Sequence, residues 1–67
     1  MIIVYNPTDE QLNMWGDYVF NGMTGIIVKQ IDANTANINV FLNDLNGSIV
    51  NIQNVSKGTD KGNWNTI

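Results

Sequence analysis

A chain of 67 residues forms one domain at most, and it buries only about 60% of the surface its unfolded form exposes. It has no Cys and no His, which removes disulfides, thiolate and imidazole metal ligands, and nucleophilic mechanisms built on a thiol or an imidazole base. Three Lys against five Asp and one Glu give a net charge of −3: too few cations to neutralise a phosphate backbone, too few carboxylates to imitate one.

Met1–Tyr5 is an apolar run rich in β-branched residues and predicts a strand, ended by Asn6-Pro7. The run carries no basic residue and is too short to span a membrane, so a cytoplasmic protein is expected, with neither signal peptide nor membrane contact. Residues 8–22, TDEQLNMWGDYVFNG, are ambiguous. Thr8 and Gln11 fit a capping box, and Asp9 and Glu10 suit the positive end of a helix. Leu12, Trp15 and Val19 share a helical face, and Gly22 fits the position just past a helix end. Against a long helix, Gly16 in its middle costs about 1 kcal/mol relative to Ala. Tyr18-Val19-Phe20 also favours a strand. The expectation is one or two helical turns over 8–14, then a strand over 17–20. The alternative is a helix over 8–21.

Ile26–Ile31 predicts a strand, and Asp32-Ala33-Asn34-Thr35 a hairpin turn. Ala36–Asn43 alternates: Ala36, Ile38, Val40 and Leu42 face one side, and Asn37, Asn39, Phe41 and Asn43 the other. That period means a sheet with one buried face. Asn43–Gly47 reads as a second turn through its Asn-Gly pair, and Ser48–Val55 as the next strand. Residues 57–67 are polar and Gly-bearing but end with Trp64 and Ile67. They can be disordered, folded back, or a docking peptide. Short strands at regular spacing predict an all-β fold, a small SH3-like barrel over 1–56 with a short helical turn near the N-terminus, followed by a tail over 57–67. The alternative is an α+β fold, a βαβββ meander with the 8–21 helix across it.

Over residues 16–56 the pattern Gly16-Asp17-Tyr18-Val19, Gly22-x-x-Gly25, Ile26-Ile27-Val28 with Ile31-Asp32, Asn39-Val40-Phe41 and Gly47 resembles the KOW-type SH3-like barrel module of transcription elongation factors and ribosomal proteins. The resemblance implies a barrel and an RNA- or ribosome-associated role that would draw on Lys29, Lys57 and Lys61. The basic residues of RNA-binding members are missing here. In this reading Gly22 and Gly25 flank the corner between two strands. A phosphate nest is the functional counterpart, but no Lys-Ser/Thr follows, so the turn is no P-loop.

No catalytic residue, cofactor site or metal site is expected. Asp17, Asp32, Asp44 and Asp60 sit beside turn residues, as Asp usually does. Asn43-Asp44-x-Asn46-Gly47 lacks the oxygen series and final Glu of a calcium loop. The aromatics stand out instead. Trp15, Tyr18, Phe20, Phe41 and Trp64 exceed what so small a core needs, and Phe41 lies on the polar side of its strand. They are the candidate partner-binding residues. Either they cover one another, with Trp64 or the 12–15 segment over Phe41, or they form a docking patch. The expected function is a small non-enzymatic module that binds a larger protein. Twelve Asn and nine Ile, both with AT-rich codons, suggest a phage or mobile-element product, an accessory factor or inhibitor. The alternatives are the KOW-like nucleic-acid role and a self-assembling homo-oligomer.

Overall fold

The computed structural model describes residues 1–16, 23–42 and 46–67. It contains β1 (Ile2–Asn6), α1 (Asp9–Trp15), β2 (Met23–Asp32), β3 (Thr35–Phe41), β4 (Ile49–Ser56) and β5 (Asn63–Thr66). The strands form one sheet in the order β4-β3-β2-β1-β5, with every ladder antiparallel. This is the mostly β, small barrel-like fold expected from the sequence, with one short helix.

Bulges supply the curl. Ile27 pairs with Ile38 but Lys29 with Asn37, which leaves Val28 as an extra residue in β2. A second shift between Gln30 and Asp32 leaves Ile31. In β4 the register runs from Ala36–Val55 to Ile38–Ile52, so Gln53 and Asn54 both stand against Asn37. Asn54 takes a left-handed φ of 56°, and its N–H donates to Asn37 Oδ1 at 2.9 Å. Asn tolerates that conformation better than most residues. Each bulge bends and twists its strand. The bending brings the two sheet edges together at one end, where Lys57 bridges Trp64 in parallel and Gly58 N donates to Trp64 O at 2.9 Å.

The segment beyond residue 56 therefore needs correction. It is not a tail outside the barrel. Asn63–Thr66 pairs with Ile3–Asn6, and the folded unit runs through β5. The physical reason is Trp64, which faces inward opposite Tyr5 while Asn63 and Asn65 point the other way.

The helix is the short version. Thr8 accepts from Gln11 N, and Gln11 Oε1 accepts from Thr8 N, which completes the expected capping box. Gly16 ends the helix with φ 54° and ψ −122°, a backbone suited to glycine. The alternative helix over 8–21 thus stops at Trp15. The expected strand over 17–20, with Tyr18 and Phe20, lies outside the described residues, as does Gly22. Gly25 does not flank a corner. It sits inside β2 between Ile3 and Val40, where a Cβ would lie 2.5 Å from Asn39 O. Its requirement is close approach of two backbones.

Ile3, Tyr5, Met23, Ala36, Ile38, Val40, Val55 and Trp64 form the core, and Trp15, Ile27, Leu42, Val50 and Ile52 pack around it. Tyr5 donates its hydroxyl to Gln11 Oε1 at 2.7 Å, the same oxygen that serves the capping box. One carboxamide thus ties α1 to the core. No described helix is long and apolar enough to cross a membrane.

Candidate interaction surface

The outer face of the sheet follows from the register. Ile2 pairs with Ile26, Ile26 with Asn39, and Asn39 with Asn51, giving one row across four strands. Two residues along each strand, the next row holds Val4, Thr24, Phe41 and Ile49. In antiparallel sheets such directly opposed side chains touch, and diagonal ones come within reach when large.

This face is unusually apolar for an outer surface. Ile2 and Ile49 are each 59% exposed, Phe41 is 40% exposed, and Ile26 and Val28 are also open to solvent. Phe41 and Ile49 form an opposed pair at the β3–β4 end, and Ile2 and Ile26 a second pair on β1–β2. Asn39 and Asn51 lie beside both pairs. Asn51 Nδ2 donates to Asn39 Oδ1 at 2.8 Å and to Ile38 O at 3.3 Å. Those carboxamides are held in fixed orientation, which lowers the entropy lost when a partner covers them.

The sequence-derived aromatic set divides. Phe41 stands on the outer face as expected. Trp64 does not belong to a docking surface: it is 3% exposed, and its Nε1–H donates to Val55 O at 2.9 Å. It does not cover Phe41, because it lies inside the barrel. The Lys57 ammonium stands 5.6 Å from the Trp64 ring centroid, a cation–π contact that helps seal the sheet edges. Trp15 is half-buried and packs against the core. Tyr18 and Phe20 lie outside the described residues. What sequence reasoning missed is the aliphatic half of the surface. Doublets such as Ile2-Ile3, Ile26-Ile27 and Ile49-Val50 carried the signal. In a strand only one member of a doublet can face inward.

Of the three lysines, Lys29 stands on this face through its pairing with outward-facing Asn37, and the other two are engaged elsewhere. Lys61 is engaged by Asp9 in a solvent-exposed ion pair, and Lys57 lies over Trp64. Among the described residues no three Asp or Glu side chains gather as they would around a metal ion. A shallow cavity of about 240 Å³ lies on the β1–β5 side, lined by Val4, Asn6, Thr59, Asn63, Asn65 and Thr66. Two of its lining carboxamides, those of Asn6 and Asn65, bond to the chain's own backbone. Asn6 Nδ2 donates to Thr59 O at 3.4 Å, and Thr66 N donates to Asn65 Oδ1 at 2.8 Å.

Comparison with known protein families, characterised proteins and solved structures finds no significant match to this chain. The resemblance to the KOW-type module therefore rests on the quoted residues alone.

Proposed function

We propose that this chain is a non-enzymatic protein-interaction module that docks onto a larger protein through the outer face of its sheet. The observation that carries the reading is the opposed pair Phe41 and Ile49, exposed in register beside Ile2 and Ile26 where polar residues would ordinarily face water. The favoured partner presents an apolar patch with peptide or carboxamide groups at its rim to meet Asn39 and Asn51. The net charge of −3 favours a neutral or basic partner surface. The Asn and Ile bias supports a phage or mobile-element product that acts in a host cytoplasm by covering a site on a host protein.

The test is capture of partners from host lysate with tagged wild type and with the double variant Phe41→Ser/Ile49→Ser, each with and without nuclease. The proposal expects a stoichiometric protein that survives nuclease and is lost with the double variant. Nuclease-sensitive capture that weakens when Lys29 and Lys57 are neutralised would replace it with the RNA-associated reading. A second copy of the chain as sole partner would replace it with self-assembly.

A further inference from the structure

We infer that Asn46 is a site of spontaneous deamidation, a covalent change the chain makes in itself at the β3–β4 loop. Asn46 is solvent-exposed and is followed by Gly47, which has a φ of 62°. A Cβ built on Gly47 would meet nothing within 4 Å, so no neighbouring atom crowds the peptide there. Among the described residues no hydrogen bond holds the Asn46 carboxamide.

The chemistry needs only water. The Gly47 backbone nitrogen loses its proton and attacks the Asn46 side-chain carbonyl. A C–N bond closes a five-membered succinimide, and the side-chain amide bond breaks with release of ammonia. Water then adds across either carbonyl of the ring, yielding aspartate or isoaspartate. The net change replaces NH2 by OH, and no electron is transferred. A side chain on the following residue hinders the attack, and glycine removes that hindrance.

The other described asparagines are placed differently. Asn6 precedes Pro7, whose nitrogen has no proton to lose. Asn37 Oδ1 is occupied by Asn54 N, and Asn39 and Asn51 bond each other. Asn13 lies within α1. Asn34, Asn54, Asn63 and Asn65 are followed by Thr, Val, Trp and Thr.

Position gives the change its consequence. Leu42 N donates to Ser48 O at 2.9 Å and closes the loop that contains Asn46, one step from the Phe41–Ile49 pair. Deamidation there moves the net charge from −3 to −4 and adds a carboxylate to the loop that joins Phe41 to Ile49. Isoaspartate also lengthens the backbone by one methylene. The inference stands whether or not that face docks a partner, because its readout is chemical.

The experiment incubates the intact wild-type chain at mildly alkaline pH and follows each asparagine by peptide mapping with mass detection and isoaspartate labelling. A parallel sample is held in denaturant. The expected result is a mixture of aspartate and isoaspartate at 46, formed at least an order of magnitude faster than modification at 13, 34, 54, 63 or 65. The folded rate should stay close to the denatured one, and Asn46→Gln should abolish the product mapped to position 46, leaving any formed at the second Asn-Gly pair, Asn21-Gly22, in a chain with unchanged unfolding. An Asn46 that persists in the folded chain while it converts in denaturant would overturn the inference. So would a rate at 46 no faster than at the other five positions.

Discussion

The two sides of β3 make different commitments. Ala36, Ile38 and Val40 point inward and are fully buried, whereas Asn37, Asn39 and Phe41 point outward. The inner row is an aliphatic packing surface with no polar atom to satisfy. The outer row mixes fixed carboxamides with one aromatic ring. Trp64 and Phe41 sharpen the contrast. One closes the barrel from inside, and the other is left to solvent beside Ile49. The lesson is that aromatic content does not mark a binding surface. Position within the alternation separates a group that holds the fold from a group available to a partner.

The largest expected effect is on the inner side. Trp64→Ala removes a buried indole and its bond to Val55 O, with an expected cost of about 3–5 kcal/mol. That is comparable to the whole stability of a small domain, so urea titration should show the variant largely unfolded without denaturant. Gly25→Ala comes next. Its methyl would press on Asn39 O, and the strands must part to admit it, at about 1–3 kcal/mol by the same titration. Equal stability would show that the β2–β3 approach is looser than described.

Tyr5→Phe tests the link between core and helix cap. It removes the donor to Gln11 Oε1 and should cost about 1 kcal/mol at neutral pH. Burial raises the Tyr5 hydroxyl above its ordinary value. As pH rises the unfolded chain therefore loses this proton first. The contribution is fully present below about 10 and is lost as pH climbs through the folded value. Unfolding free energies of wild type and Tyr5→Phe should converge across that window. A constant difference would place the hydroxyl in water. The smallest effect is expected at Lys61→Ala, which breaks an exposed pair with Asp9 and should cost less than about 0.5 kcal/mol, with little remaining at high salt.

Much of the fold was legible because local signals agreed. The capping box at Thr8 and Gln11, the alternation from Ala36 to Leu42, and the Asp32 turn each follow from short-range chemistry. Asn34 N donates to Asp32 Oδ1 at 2.9 Å as such a turn requires. The fifth strand was hidden by composition. NWNT has one large apolar residue, and only the long-range partner Tyr5 shows that this residue faces inward. Gly25 was misplaced for a related reason. A glycine that permits a turn and one that permits close strand contact look alike in sequence. The bulges at Val28, Ile31 and Gln53-Asn54 left no local mark beyond tolerance for Asn at positive φ. Without them the outer face could not be assembled from sequence. The aliphatic members of the candidate surface were obscured because doublets such as Ile49-Val50 do not say which member is buried.

The most direct test compares equilibrium unfolding of wild type, Phe41→Ser/Ile49→Ser and Trp64→Leu in one urea series. If the two faces divide stability from recognition, the outer double variant keeps a midpoint close to wild type, while Trp64→Leu loses several kcal/mol. A collapse of the double variant matching that of Trp64→Leu would contradict the division and return Phe41 and Ile49 to the core.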